Sequence, residues 1–255
     1  MDEATALLTT LEATRPEAPT ACTGWTAHDL TAHLAAGAKE MADLVEVALA
    51  GQPDRPTRPF TTREAPFVAM PDAVLREHLI VEALRLNAAT ETLAQTGSDT
   101  TVAFAGRRLT AAELDLHGRS EAALHRWDLV GDDETSRALL AQPELTTHAA
   151  TVLNEMLPDA GEAPIRRARR AGVSATRAVL RSPDRPDVIL LVDNGRARFE
   201  IAEQHDDPPT LVTDPATRLL LLWGRRSAEA TVTWCQGQGA RRPIEALLWP
   251  VPTRP

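Results

Sequence analysis

In SEAALHRWDL, residues 120–129, Glu121 and His125 stand four residues apart within a helix-like pattern. Residues i and i+4 lie one above the other on a helix face, so a carboxylate and an imidazole at this spacing can converge on one cation. The same spacing describes an ordinary surface Glu–His contact, and the pair alone leaves both readings open. Ala122, Ala123 and Leu124 between them are small or apolar, which is not the setting of a charged surface stretch. Asp128 lies three residues beyond His125 and can accept from its second ring nitrogen, as carboxylates behind metal-bound histidines do. His33, in DLTAHLAAG, offers a third ligand from an earlier helix, although alone it reads as a buried, hydrogen-bonded core histidine.

His117 extends the pair to an i, i+4, i+8 stripe. It is a candidate fourth ligand, a proton shuttle near a substrate, or a partner for a helix carboxylate. His28 is five residues from His33, about 140° round a helix, and faces elsewhere. His78, His148 and His205 have no sequence neighbours that single them out. Cys22 and Cys235 are far apart and no CxxC occurs, so a disulfide framework and a thiolate zinc site are both disfavoured. Cys235, after Trp234 in a strand-like stretch, is expected to be a buried, inert thiol.

These residues need elements to position them. Residues 1–14 read as a short helix broken by RPEAPTACTG. A second helix runs from Ala27 to about Ala50, with Thr26 and Asp29 as a weaker relative of the capping box. Residues 51–70 hold four prolines and no periodicity, and are expected to be a long loop of functional length. A third helix covers about 71–94, and TVAFAGRRL (101–109) suggests a small hairpin around Gly106. Thr110 and Glu113 form a capping box that opens a helix from 111 to 130, closed by Gly131. A fifth helix is expected over 136–156. LPDAGEAPIRRARR (157–170) is the expected linker, with IRRARR read as a solvated face rather than an anion site. The period then changes. VSATRAVLRS, DVILLV and RARFEIA read as strands, the last two joined by a turn at Asp193-Asn194-Gly195. Asp214-Pro215 opens a helix ending at Gly224, ATVTWC is a further strand and PIEALLW a last short helix. The expected fold is an N-terminal helix bundle, residues 1–160, followed by a small α/β (α+β) domain, residues 161–255.

Bulk properties narrow the function classes. The formal net charge is −9 over 255 residues, which disfavours a nucleic-acid partner. No run approaches a membrane span, and the acidic start lacks a basic secretory n-region, so a cytoplasmic protein is expected. Lys39 is the only lysine, a bias expected of a GC-rich genome such as an actinobacterium's. Nothing in the sequence selects an oligomeric state.

GWTAHDLTAHLAAG (24–37), SEAALHRWDL and LLLLWGRRS (219–227) together resemble the mycothiol-dependent maleylpyruvate isomerase family, within the DinB-like metal-binding superfamily. The resemblance implies a four-helix bundle holding one divalent metal, usually zinc, through His33, Glu121 and His125. It also makes an active-site arginine from the second domain plausible, with Arg225 and Arg226 as the candidates. Their alternative is two arginines favoured at a helix C-terminus by its dipole. Two histidines and a glutamate leave the fourth position of tetrahedral zinc open, the catalytic pattern. A thiol bound there is deprotonated, and the thiolate is the nucleophile.

The expected activity is therefore metal-dependent chemistry with a borrowed low-molecular-weight thiol, mycothiol, on a small electrophile. The outcome is S-transfer, which the reading favours, or thiol-assisted isomerisation. A non-catalytic binding module with a degenerate metal site, and a zinc hydrolase, are the alternatives.

Overall fold

The computed structural model describes residues 2–97, 100–156, 175–193, 196–204, 208–225, 231–236, 241 and 244. The chain divides into two compact units, residues 1–130 and 131–255. The second unit begins ahead of the boundary expected from the change of period, because the helices after Gly131 pack with the strands that follow them.

The first unit is helical. It contains α1 (Glu3–Ala13), α2 (Ala27–Leu49), α3 (Phe60–Val68), α4 (Asp72–Thr96) and α5 (Ala111–Val130), with a hairpin of β1 (Val102–Phe104) and β2 (Arg107–Leu109) before α5. The four long helices α1, α2, α4 and α5 form the bundle: α2 packs on α4, α1 on α5, and α5 also meets α4 and α2. Thr26 caps α2 with a complete capping box, its side chain accepting from the Asp29 amide while Asp29 accepts from the Thr26 amide. Thr110 and Glu113 make the equivalent bonds ahead of α5. The hairpin turns through Ala105 and Gly106, both at positive φ.

Small residues are prominent in one buried cluster of the bundle. Ala32, Ala35 and Ala36 of α2 and Ala122 of α5 share one buried cluster with Leu7, Leu11, Phe67, Leu75 and Leu79. Alanine at such contacts lets helix axes approach towards the short end of the usual range of about 8–10 Å. A second cluster, built on Met41, Leu44, Val45, Leu93, Phe104 and Leu109, closes the far end of α2 and α4.

One expectation for this unit is corrected. The segment 51–70 is not wholly a loop, because Phe60–Val68 is a nine-residue helix. Pro66 lies inside it, past the first turn, so the bond its amide would make to the Thr62 carbonyl is lost. The stretch before it is fixed from outside. Glu40, fully buried on α2, accepts from Arg55, from the Arg58 backbone at 2.9 Å and from Arg58 Nε at 2.6 Å. Burial alone raises the Glu40 pKa, but these bonds outweigh it and hold the carboxyl below its ordinary value.

The second unit holds α6 (Glu134–Leu140), α7 (Pro143–Met156), β3 (Ala175–Arg181), β4 (Asp187–Asp193), β5 (Arg196–Ala202), β6 (Leu211–Val212), α8 (Pro215–Leu222) and β7 (Thr233–Trp234). The single helix expected over 136–156 is two helices. Pro143 opens the second, and a proline restrains the residue before it from helical geometry. The strands form one mixed sheet in the order β5-β4-β3-β6-β7, with β3 and β6 parallel and the other pairs antiparallel. β6 was not anticipated; two residues carry no periodicity. Helix α7 covers β5, and α8 packs on α6 and α7. The expected Asn194-Gly195 turn, the linker with IRRARR, His205 and most of the last helix lie outside the described residues. No helix among the described residues is long and apolar enough to cross a membrane.

Replacing Thr26 by alanine removes the cap of the helix that carries His33. The expected loss is about 1 kcal/mol of unfolding free energy, measurable by urea denaturation followed by circular dichroism.

Candidate metal centre

His33 on α2 and the pair Glu121 and His125 on α5 meet inside the first unit. His33 Nε2 lies 3.7 Å and His125 Nε2 3.4 Å from the same oxygen of Glu121. One ligand atom from each of the three lies within 4.8 Å of the others. Zinc at about 2.0–2.1 Å from tetrahedrally placed N and O ligands separates those ligands by about 3.4 Å. The two separations to Glu121 are close to such an edge, so this donor set fits a divalent metal without rebuilding either helix.

The outward nitrogens are already committed. His33 Nδ1 is 2.7 Å from Glu64 of α3, and His125 Nδ1 is 2.8 Å from Asp128. A carboxylate behind each imidazole fixes the tautomer in which Nδ1–H donates and Nε2 offers its lone pair inward. Cys22 extends the second chain, its Sγ donating to Asp128 at 3.3 Å. Cys22, His125 and Asp128 also form a compact donor group. That group uses the Nδ1 side of His125, where the hydrogen bond to Asp128 already satisfies both partners. Trp25 and Phe60 flank His33, with ring centres 5.1 and 5.6 Å from its own. Phe60 is 56% exposed and Trp25 half-buried.

Without metal the cluster is an ion-paired one. Burial lowers the pKa of each histidine, but the opposing bonds win. Glu121 and Glu64 raise His33, while Asp128, Cys22 and Glu121 raise His125 well above the ordinary histidine value. Burial raises Glu121, and its bonds to His125 and His33 overcome this and hold it well below the carboxylate range.

His117 sits one turn before Glu121 on α5, half-buried, with its ring 5.6 Å from that of Phe104. Burial lowers its pKa, and Arg107, Arg63 and His33 add to the effect against the pull of Glu121. It is therefore neutral at pH 7. His28 faces elsewhere as its angular position requires, held by Asp72 at 3.2 Å and the Val68 carbonyl at 3.1 Å. Arg225 belongs to the second unit. It is half-buried just past α8, and its amide donates to the Leu220 carbonyl at 2.8 Å. Arg226 lies outside the described residues. Cys235 is exposed, not buried as expected, because β7 is an edge strand of its sheet.

Glu64, Arg63 and Phe60 are the site-side residues that sequence reasoning missed. All three lie on α3, and the one signal was the functional length of the proline-rich stretch that contains it.

The fold defines a class: a helical bundle carrying a three-residue donor cluster, followed by a small mixed-sheet unit. Residues 1–130, which include the whole cluster, match the family model described as the mycothiol maleylpyruvate isomerase N-terminal domain, and the chain belongs to that family. The crystal structure of the mycothiol-dependent maleylpyruvate isomerase is similar, with a TM-score of 0.60 at 17% identity, covering 91% of this chain and 88% of that one. A variant of that isomerase with one histidine replaced by alanine aligns with a TM-score of 0.62 at 16% identity over the same shares. At these identities the likeness is one of fold. A comparison with curated proteins finds no match.

Elemental analysis is expected to find about one zinc or similar first-row ion per chain, lost in His33→Ala, Glu121→Ala and His125→Ala. Glu64→Gln keeps the stoichiometry and weakens affinity by about 10–100-fold. Metal binding also releases protons from the histidines, so affinity rises with pH until both are neutral. Both pKa values are raised above 6.5, so the rise continues through pH 7. Competition against a zinc chelator between about pH 6 and 8 measures the slope, and a profile already flat at pH 7 contradicts this account.

Proposed function

We propose that this chain is a metal-dependent enzyme that uses a low-molecular-weight thiol, mycothiol, for S-transfer to, or thiol-assisted isomerisation of, a small electrophile. The observation that carries the reading is the convergence of His33 and His125 on Glu121 with both outward ring nitrogens held by carboxylates. These three residues would hold a divalent ion, which would lower the pKa of a thiol brought to it.

The chain's own groups do the rest. Glu64 and Asp128 accept from Nδ1–H of the two imidazoles and so keep both Nε2 atoms aimed inward. Trp25 and Phe60 give His33 apolar flanks that limit water. His117, whose pKa is held below the ordinary histidine value by desolvation and by Arg107, Arg63 and His33, is the group we assign to accept the thiol proton. In S-transfer that proton is returned to the carbon next to the new C–S bond, and the conjugate leaves. In isomerisation the C–S bond breaks again after rotation about the former double bond, and the thiol is regenerated. Arg225 and Arg226 are the second unit's candidates for holding a carboxylate or a sugar oxygen.

Room for the co-substrate is the second support. Gly37 lies one turn beyond His33 and Gly118 one turn before Glu121, and a Cβ added to either meets nothing within 4 Å. Glycine inside a helix costs about 0.5–1 kcal/mol relative to alanine, and here no crowding in the fold accounts for it.

The test is consumption of an electrophile by the zinc-loaded protein with and without thiol. Activity is expected only with thiol and none in His125→Ala. Turnover without thiol selects the hydrolase instead, and no turnover of any electrophile selects the binding module. Gly118→Ala is expected to raise stability by about 0.5–1 kcal/mol while raising the KM for thiol. A stabilised variant with an unchanged KM means that the open space is not the thiol's.

A further inference from the structure

Arg63 of α3 is 7% exposed, and its Nε is shut off from solvent with no hydrogen-bond partner. None of its side-chain nitrogens makes a hydrogen bond or ion pair with a described residue. Its neighbours are committed: Arg58 to Glu40 and Asp43, and Arg85 to Asp43, Glu46 and Glu82. A guanidinium carries five donors and no acceptor, and burying it unpaired costs several kcal/mol. Its one close ring contact is with Phe60, 4.2 Å from guanidinium carbon to ring centre. The Phe60 ring stacks in turn on His33 at 5.6 Å. The guanidinium therefore lies within about 10 Å of a candidate metal ligand, the span of a small molecule.

Arg63 also lines a cavity of about 200 Å³ whose apolar walls include Ala36, Phe67 and Met70. Lys39, Arg58 and Glu82 line it too, but each is already ion-paired, Lys39 to Asp43 at 3.1 Å. Among the described residues, Arg63 is the one lining guanidinium or ammonium that makes no ion pair at contact distance, although Glu64, Glu40 and Glu121 act on it from further off.

We infer that this cavity is a small-anion subsite in which Arg63 binds the carboxylate of the electrophile processed at the His33–Glu121–His125 cluster. The inference rests on the enzyme reading above for the fate of the ligand. The subsite itself rests on the cavity and the unpaired guanidinium. A planar fork of N–H donors matches a carboxylate in two parallel bonds, and apolar walls strengthen that pairing by excluding water. The volume is below the roughly 300 Å³ at which drug-sized ligand pockets begin, so the bound arm is short.

Succinate and its uncharged diamide, titrated calorimetrically, test this. The proteins are wild type, Arg63→Gln and Arg63→Lys, each zinc-loaded and chelator-stripped. Succinate is expected to bind wild type with or without zinc, and the diamide is expected not to bind. Arg63→Gln should weaken succinate by about tenfold or more, and Arg63→Lys, a point charge without the fork, should recover part of the loss. Succinate binding unaltered in both variants, or absent in wild type up to about 10 mM, overturns the subsite. So does binding that vanishes with zinc, because the anion is then at the metal cluster and Arg63 is only a distant counter-charge for the nearby glutamates. The readout needs no turnover. A protein inactive with every thiol that still binds succinate through Arg63 loses the enzyme reading and keeps the anion site.

Discussion

The convergence of a side chain from α2 and two from α5 on one point is the constraint on which the rest of this structure depends. His33 and His125 are ninety-two residues apart in sequence, yet their inward nitrogens lie 3.7 and 3.4 Å from one carboxylate oxygen. Ala32, Ala35 and Ala36 of α2 and Ala122 of α5 are buried in one core cluster with residues of the other helices. The packing that places the three candidate donors is therefore shared by the whole bundle, although none of these alanines has any chemistry to offer.

A second layer of constraint acts on orientation. An imidazole that can rotate or change tautomer is a poor ligand, and both histidines are denied that freedom by a carboxylate. Asp128 comes from the same helix as His125 and is placed by helix geometry alone. Glu64 comes from α3, and α3 is held in place through Arg55 and Arg58, whose partner is the fully buried Glu40 of α2. Helix α2 thus carries both a ligand and the anchor of the segment that orients it. Burial disfavours the charge on Glu40, His33, Glu121 and His125 alike, and the bonds each group makes, led at Glu40 by the Arg58 backbone amide, outweigh that penalty.

What the sequence made legible follows the physics of local signals. Helices with capping boxes and a steady period, such as those opening at Thr26 and Thr110, end where the chain says they should. The ligand candidates were visible because i and i+4 spacing on a helix is itself a spatial statement, and because the flanking motifs resembled a known family. Helix α3 was hidden: nine residues containing Pro66 have no period strong enough to outweigh their prolines. Its contributions, Glu64 to His33 and Arg63 to the cavity, are tertiary pairings that no local pattern encodes. The break before Pro143 and the exposure of Cys235 were missed for a related reason. Each depends on what the neighbouring element does, and a single segment does not contain that information.

The placement of the donor cluster wholly within residues 1–130 has an evolutionary consequence. The candidate donors and the carboxylates behind them all come from residues 1–130, so no substitution in residues 131–255 removes one of these groups. Glu40 and Glu64, in contrast, are tied to the cluster directly or through one partner. Divergence within such a lineage is expected to concentrate in the sheet-bearing unit.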